Sequence, residues 1–146
     1  MKRKYDLVCL GDTVMDAFIQ LHEASVQCDI NHDRCQLCMS FADKIPYESV
    51  YVLPAVGNAS NVAVGAARMG LKTAMLTAIG NDRYGTDILG VYKKEGVATE
   101  FVRVNKGVPT NYHFVLTFKA ERTILIKHEK YQYADPSELD KKMDWL

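Results

Sequence analysis

The stretch that decides the fold is AVGNASNVAVGAARMGLKTAMLTAIG, residues 55–80, followed by Asn81 and Asp82. A turn of small residues with two asparagines opens an alanine-rich segment, which is typical of a helix start. Gly70 then ends the helix, and a run of apolar and β-branched residues up to Gly80 predicts a strand. The order of turn, helix and strand predicts a β-α-β unit whose turn at residues 57–61 grips a ligand.

The sequence on either side predicts a parallel α/β core. Residues 5–10 form a short apolar run ended by Gly11, which is typical of a strand buried on both faces. Residues 82–95 predict a second helix, and residues 99–104 predict a further strand. Strands joined by crossovers of this length favour a parallel sheet.

The spacing of apolar residues predicts which face of each helix is buried. The first helix is predicted over residues 58–69 and the second over residues 82–95. The predicted buried faces carry Val62, Ala66 and Met69 in the first helix and Tyr84, Ile88 and Tyr92 in the second.

Four shorter segments alternate between apolar and polar residues, as strands with one exposed face do. They lie at about residues 16–22, 48–53, 110–118 and 123–128, and Pro54 is expected to end the second of them. Two of these segments follow the first strand of the core, and the other two follow the third. Because ligands bind at the carboxyl edge of a parallel sheet, these strands predict a small antiparallel sheet that acts as a lid.

Composition limits the classes of partner. The chain has 146 residues, its 18 Lys and Arg balance its 18 Asp and Glu, and it has no long basic run, so nucleic acid is not an expected partner. The first apolar run ends at Gly11, too early for a membrane helix or a signal segment. We therefore expect a cytoplasmic protein with one domain and no membrane partner.

A polar segment at about residues 25–45 contains Cys28, His32, Cys35 and Cys38, spaced C-x3-H-x2-C-x2-C. Three thiolates and one imidazole form a ligand set for tetrahedral zinc, and such a closed site would be structural. The lack of an export signal favours reduced thiols over disulfides. Two hypotheses stay open, a structural zinc site and free thiols in an irregular loop.

Two aspartates follow the first strand at the predicted ligand edge. A carboxylate there can accept two hydrogen bonds from a vicinal diol. Asp12 also fits a turn residue that caps its own backbone, whereas Asp16 opens a lid strand and would face a ligand beneath it. In the turn at residues 57–61, backbone N–H groups and the amides of Asn58 and Asn61 attract oxygen atoms, although asparagine is also an ordinary N-cap.

The other polar residues near this edge give weaker indications of a role in ligand binding. Asp82 follows a central strand and is predicted as the N-cap of the next helix. His113, Lys127 and His128 are expected to be solvated positions on the lid. Arg122, in the turn of the lid hairpin, is a weak candidate for contact with a phosphate or a carboxylate.

Three segments together resemble the ribokinase-like (PfkB) carbohydrate kinases. VGNASNVAVGAARMG at residues 56–70, with TAIGND at residues 77–82, resembles that family's first signature. VCLGDTVMD at residues 8–16 resembles its strand and turn that carry a sugar-binding aspartate, and TNYHFVLTFKAERTIL at residues 110–125 resembles its lid hairpin. The resemblance covers the chain outside about residues 28–44. It implies a ribokinase-like parallel sheet flanked by helices, with a small β lid.

The resemblance also implies roles for individual residues. The family's sugar-binding aspartate falls on Asp16, its glycine turn on Gly57 and its sugar-binding asparagine on Asn61. Asn58 falls at a position that often helps to choose the substrate. The family usually has two adjacent glycines, and the first is Val56 here. A Cβ at that point would crowd a ligand lying on the backbone, so a different or displaced substrate is expected.

The family's catalytic base lies in a Gly-Ala-Gly-Asp turn of its C-terminal half, and the chain contains no such turn. The resemblance therefore implies that residues 1–146 are the N-terminal part of a kinase domain, without the ATP-binding and catalytic half and without a catalytic residue. ATP and magnesium are implied by the family alone. Because a base and an anion-binding turn are needed for phosphoryl transfer, the chain by itself is expected to bind a substrate without turnover.

The expected function is thus the substrate-binding and lid portion of an ATP-dependent carbohydrate kinase. A nucleoside is the alternative acceptor, since nucleosides use the same family scaffold. A non-catalytic module that dimerises through its lid is the alternative of another class, because half-buried strands with open edges invite pairing. A homodimer through the lid is expected in either case.

Overall fold

The computed structural model describes residues 4–31 and 33–134. In those residues the chain forms a parallel sheet, a larger mixed sheet and a small hairpin. The elements are β1 (Leu7–Leu10), β2 (Val14–Leu21), β3 (Ser25–Cys28), β4 (Cys35–Cys38), β5 (Tyr47–Val56), α1 (Asn58–Arg68), β6 (Thr73–Gly80), α2 (Arg83–Glu95), β7 (Ala98–Asn105), β8 (Tyr112–Phe118) and β9 (Glu121–Leu125).

The parallel sheet consists of β1, β6 and β7, with β6 in the centre. β6 pairs with β1 on one side and with β7 on the other, both in parallel. All eight residues of β6 are buried, as a strand between two parallel neighbours requires. The sheet and its helices confirm the predicted α/β fold class.

α1 packs through its smallest residues. It buries Ser60, Ala63 and Ala66, and Ala63 belongs to the core cluster around Met75 of β6. The prediction that Val62 and Met69 are buried is wrong, since they are 55% and 77% exposed. Small side chains let the helix backbone lie close to the sheet, so fit rather than hydrophobicity selects the buried face.

α2 packs beside α1 on the same face of the sheet. Ile88 and Tyr92 are fully buried as predicted, and Gly85 replaces Tyr84 at the third buried position. Tyr84 is 39% exposed and contacts the ring of Tyr112 edge-on. Neither helix in the described part of the chain is long and apolar enough to cross a lipid bilayer.

The larger sheet has the strand order β5-β2-β8-β9 and contains the strands predicted to form a lid, so we refer to it as the lid. β2 and β5 are antiparallel, as are β8 and β9, whereas β2 and β8 are parallel. The lid is therefore mixed, because β2 and β8 each follow a strand of the parallel sheet and so leave its carboxyl edge in the same direction.

β5 continues through Pro54, which was predicted to end it, and stops at Val56. Proline is tolerated here because β5 lies at the edge of the described sheet. The register with β2 shifts between Val14 and Asp16, and Ala55 has a φ of 59° at the same place. This irregularity turns the chain from the lid into α1.

The segment predicted to be irregular contains the hairpin of β3 and β4. Cys28 and Cys35 lie opposite each other in it and form a disulfide, and Cys38 is free. This differs from the expected reduced thiols, because antiparallel pairing brings the two side chains within bonding reach.

The predicted zinc site needs Cys28 and Cys35 as separate thiolates, so the structure does not form it. His32 lies outside the described residues, among which no group of three ligand side chains is placed to hold a metal ion.

Asp82 joins the end of β6, the start of α2 and the loop before β8. Its Oδ1 accepts hydrogen bonds from the Gly85 N–H at 2.9 Å and the Thr110 hydroxyl at 2.6 Å, and its Oδ2 accepts from the Thr110 N–H at 2.8 Å. A Cβ on Gly80 would collide with the Val108 carbonyl, so glycine is needed for this loop to close. Burial opposes ionisation, but the hydrogen bonds outweigh it and lower the pKa of Asp82.

The Asp82→Asn variant should lower the free energy of unfolding by about 1–3 kcal/mol at pH 7, measured by urea denaturation. The amide would turn a donor toward Thr110, which itself donates. Since a depressed carboxyl pKa contributes stability above the unfolded value of about 3.9, the loss should shrink as the pH falls through the folded pKa.

Asp87→Asn is the matched control on α2. Asp87 makes only a 3.8 Å ion pair with Arg83, and its side chain is 44% exposed. Its substitution should change the unfolding free energy by less than about 0.5 kcal/mol. Equal losses of unfolding free energy in Asp82→Asn and Asp87→Asn would contradict the role of Asp82 in joining β6, α2 and the loop before β8.

Candidate functional site

A cleft of about 710 Å³ opens where the carboxyl end of β1, the start of α1 and the inner face of the lid meet. Its lining includes all of the residues that the sequence predicted for substrate binding: Asp12, Asp16, Gly57, Asn58 and Asn61. They come from the β1–β2 turn, from β2 and from the first turn of α1. The fold therefore brings three separate segments of the sequence to one place.

The roof of the cleft is one face of the lid sheet. Asp16 of β2 lies opposite His113 of β8, and Phe18 lies opposite Val115 in the same register. Val115 in turn lies opposite Ile124 of β9. Since side chains on paired positions point to the same face, the roof is apolar at Phe18, Val115 and Ile124 and polar at Asp16, His113 and Arg122.

Asp16 has a buried carboxyl oxygen without a hydrogen-bond partner. The residue is 8% exposed, and its Oδ1 has no hydrogen-bond partner. The nearest ionisable group is Nδ1 of His113 at 3.6 Å, which is too long for a hydrogen bond. Burial raises the pKa of Asp16, and the neighbouring His113 opposes this rise. Such an oxygen is available to a donor from a ligand.

Asp12 is held by neighbours on the other side of the cleft. The hydroxyl of Tyr133 donates to its Oδ1 at 2.8 Å, and Nδ1 of His128 lies 3.7 Å from its Oδ2. Burial, together with the bond to Asp12, raises the pKa of Tyr133 to about 12, so the hydroxyl keeps its proton near neutral pH. Asp12 is therefore already engaged, in contrast to Asp16.

The first turn of α1 has free hydrogen-bonding groups toward the cleft. Its N-cap is Gly57, and no side chain caps the helix. The alternative that Asn58 or Asn61 serves as an ordinary N-cap is thus wrong, and both side chains are exposed where they line the cleft. Uncapped N–H groups at a helix start and nearby amides attract oxygen atoms.

Gly57 is required by both its conformation and its surroundings. Its φ is 118°, and a Cβ built on it would lie 2.8 Å from the carbonyl oxygen of Asp12. This close approach places the start of α1 directly against the turn that leads to Asp16. Val56, which stands where a first glycine was expected, also lines the cleft.

Buried hydroxyl groups fix the floor of the cleft. Tyr92 of α2 donates to the Thr13 hydroxyl at 2.8 Å, and the Ser60 hydroxyl lies 2.6 Å from the Tyr92 oxygen. Thr13 belongs to the turn after β1, and Ser60 to the first turn of α1. One tyrosine therefore holds together the two segments that form the floor.

Residues 128–133 form a strap that reaches the cleft at His128. Asn111 accepts a hydrogen bond from the Glu129 N–H at 2.8 Å, and Asn105 accepts one from the Gln132 N–H at 2.8 Å. Both asparagines are buried. They hold the strap, and this positions His128 and Tyr133 beside Asp12.

Of the three basic side chains of the cleft, the sequence indicated Arg122 only weakly and did not predict the two histidines. His113, Arg122 and His128 all line it. The expectation that His113 is solvated is wrong, since it is 9% exposed. The burial of His113 follows from the register of β8 against β2. The sequence does not indicate this register, because it depends on pairing between segments that are far apart in the chain. Lys127 is solvated as expected, with a side chain that is 76% exposed.

The chain matches the sequence pattern described as "pfkB family carbohydrate kinase" over residues 6–146. Ribokinase from Bacillus subtilis (strain 168) is 35% identical over 72 residues, which are 49% of this chain and 25% of that protein. The chain thus matches only a part of this curated relative.

Solved structures resemble the fold. Arabidopsis thaliana ribokinase complexed with ribose and ATP aligns with a TM-score of 0.66 and 20% identity, over 84% of this chain and 36% of that structure. A nucleoside kinase of the ribokinase family from Methanocaldococcus jannaschii aligns with a TM-score of 0.65 and 16% identity, over 82% of this chain and 36% of that structure. At these identities the likeness shows the fold alone, and the chain spans about two fifths of such structures.

The Gly57→Ala variant should lower the free energy of unfolding by about 1–3 kcal/mol, because it combines a strained backbone with a collision at Asp12. Gly65→Ala in the same helix is the control, since no atom lies within 4 Å of a Cβ there. It should stabilise the protein by about 0.5–1 kcal/mol through helix propensity. Thermal and urea unfolding measure both, and a neutral Gly57→Ala would contradict the close approach.

Proposed function

Because the chain belongs to the pfkB family of carbohydrate kinases, we propose that its cleft holds the hydroxyl groups of a sugar that the whole protein phosphorylates. The observation that supports this most strongly is Asp16, a buried carboxylate that lines the cleft and whose Oδ1 lacks a partner. A charged acceptor binds hydroxyl donors more strongly than a neutral acceptor does. A sugar supplies such donors on adjacent carbons.

The proposed contacts come from both sides of the cleft. Asp16 accepts hydrogen bonds from one or two sugar hydroxyls. The amide of Asn61, one turn into α1, contacts another hydroxyl, and Asn58 at the mouth of the cleft helps to choose the substrate. Gly57 lets the sugar lie close to the backbone, and Val56 restricts this approach on one side.

The lid is proposed to exclude water from the bound sugar. Its inner face is apolar where Phe18, Val115 and Ile124 lie over the cleft. An apolar cover lowers the local dielectric and so strengthens the hydrogen bonds made to Asp16. It also keeps water from competing with the sugar hydroxyl as a phosphoryl acceptor.

ATP and magnesium belong to the proposal only through the family. Among the residues that the structure describes, no cluster of three acidic or imidazole side chains could hold a metal ion. The cleft residues thus do not themselves form a magnesium site, and we assign no catalytic base in this chain. The role proposed for residues 1–146 is to bind and cover the acceptor.

A nucleoside is the second candidate acceptor. A nucleoside kinase is among the proteins of the same fold, and the ribose of a nucleoside presents the same vicinal hydroxyls as a free pentose. The wide mouth of a cleft of about 710 Å³ has room for a base beside the sugar. Competition between adenosine and D-ribose for the cleft separates the two acceptors.

The Asp16→Asn variant should weaken sugar binding about 10- to 100-fold, because an amide replaces the charged acceptor. Isothermal titration calorimetry with D-ribose, D-fructose and adenosine measures the change. The exposed Asp43, in the polar segment at about residues 25–45, provides the control, and Asp43→Asn should bind as the unmodified chain does. Unchanged affinity of Asp16→Asn would contradict the proposed role, and no binding of any of these compounds would contradict the proposed function.

We also propose that two copies of the chain associate through the lid. β5 is an edge strand of the described sheet and exposes apolar side chains on both faces. Val50, Tyr51, Val52 and Leu53 are 45%, 67%, 46% and 49% exposed. An open edge with this much apolar surface favours pairing with an identical strand.

The Tyr51→Lys variant should convert a dimer into a monomer, because it places a charge in the middle of the exposed apolar edge. Light scattering after size-exclusion chromatography measures the mass. Phe41→Lys is the control, since Phe41 is 99% exposed outside the lid. A monomeric unmodified chain would contradict the dimer. A stable dimer that binds no sugar or nucleoside would favour the non-catalytic module.

A further inference from the structure

Two polar atoms at the base of the lid are buried without partners. They are Oδ1 of Asp16 and Nε2 of His113. The two residues lie opposite each other on β2 and β8, both are more than nine-tenths buried, and both line the cleft. Buried polar groups in proteins are nearly always hydrogen-bonded. The hydroxyls of Thr73 and Thr77 also lack partners, but only Asp16 and His113 among these four residues line the cleft, which favours a ligand that satisfies both.

The chemistry of His113 restricts what that ligand can present. Its Nδ1 faces the carboxylate of Asp16 at 3.6 Å, which favours a proton on Nδ1. Nε2 is then an acceptor in the neutral ring and a donor in the charged ring. A hydroxyl group satisfies both states because it donates as well as accepts. A carbonyl or an ether satisfies only the charged ring, and a methylene satisfies neither.

No described side chain or backbone group hydrogen-bonds Nε2 of His113. The ring of His128, on the strap, lies 5.4 Å away edge-on, and His128 faces Asp12 through its own Nδ1. Arg122, from β9, lines the same cleft with an exposed side chain. The charged and titratable groups around His113 are thus Asp16 on β2, Asp12 on the preceding turn, Arg122 on β9 and His128 on the strap.

We propose that His113 is a specificity-determining residue, whose Nε2 binds a hydroxyl group of the sugar next to the hydroxyl bound by Asp16. The inference rests on the proposed function and deepens it. The pair Asp16 and His113 then selects sugars with two hydroxyls at neighbouring positions and rejects analogues that lack the one facing His113. A site built to hydrogen-bond a hydroxyl discriminates strongly against its absence.

The first test combines substitutions in the protein with deletions in the ligand. D-ribose with 2-deoxy- and 3-deoxy-D-ribose, and D-fructose with its 1-deoxy and 3-deoxy analogues, are titrated into the chain by calorimetry. His113→Phe keeps the ring volume and should weaken binding of the parent sugar about 5- to 50-fold. One deoxy analogue should bind the unmodified chain more weakly than the parent sugar does. The same analogue should bind His113→Phe as tightly as the parent sugar binds that variant. The proposal would be overturned if removing each hydroxyl from the sugar weakened binding by the same factor in the unmodified chain and in His113→Phe.

His113→Gln keeps the proposal testable if the phenylalanine variant folds poorly. The glutamine amide reaches the position of Nε2 and can hydrogen-bond a hydroxyl, so this variant should recover most of the lost affinity. His22→Phe is the matched control, since His22 is exposed beyond the end of β2. It should bind as the unmodified chain does. Equal weakening by His113→Phe and His113→Gln would overturn the hydrogen bond to Nε2.

A pH profile separates a direct role of His113 from a merely structural one. His113 opposes the effect of burial and so keeps the pKa of Asp16 lower than burial alone would. In His113→Gln this support is lost, and the pH below which sugar binding weakens should move upward. If His113 acted only by packing, its substitution would lower affinity equally at all pH values, and that result would contradict the contact between His113 and Asp16 on which the proposal rests.

The outcomes for His113 and for the proposed function are distinguishable. If the unmodified chain binds D-ribose or D-fructose and His113→Phe binds it equally well, the role of His113 is overturned while the sugar-binding function stands. If the unmodified chain binds neither sugar, both are overturned.

Discussion

The cleft depends on the hydroxyl group of Tyr92. This tyrosine is fully buried in the core beneath the cleft, and burial raises its pKa, so the hydroxyl stays protonated and can donate. It donates to Thr13 and lies 2.6 Å from the Ser60 hydroxyl, which connects α2 with the turn after β1 and with the first turn of α1. Without it, two buried hydroxyls would lose their partner, and the two floor segments would be free to move apart.

The two sheets contribute differently to the cleft. The parallel sheet and its helices provide a floor in which the Asp82 carboxylate and the Tyr92 hydroxyl are satisfied within the protein, whereas the hydroxyls of Thr73 and Thr77 on β6 lack partners. The lid instead places Asp16 and His113 in the interior with atoms that lack partners. Unsatisfied buried groups are unfavourable in the free protein, and they persist where a ligand satisfies them. Asp16 and His113 line the cleft and Thr73 and Thr77 do not, so the unsatisfied groups that a ligand can reach belong to the lid.

Local signals in the sequence were enough to predict the parallel core and the residues that gather at its edge. Gly70, Asp82 and Gly96 mark helix ends through conformations and hydrogen bonds set within a few residues. The buried face of α1 was missed, because small residues pack there for reasons of fit. His113 was missed because its position depends on the pairing of β2 with β8, which are far apart in the sequence. The disulfide depends on a short hairpin with little alternation.

The most direct measurement for the central claim is a crystal structure of the chain with D-ribose or D-fructose. The account predicts a sugar in the cleft between α1 and the lid, with one hydroxyl oxygen about 2.6–3.0 Å from Oδ1 of Asp16 and the neighbouring hydroxyl at Nε2 of His113. A sugar bound elsewhere, or one in the cleft that leaves Oδ1 of Asp16 without a partner, would contradict the account.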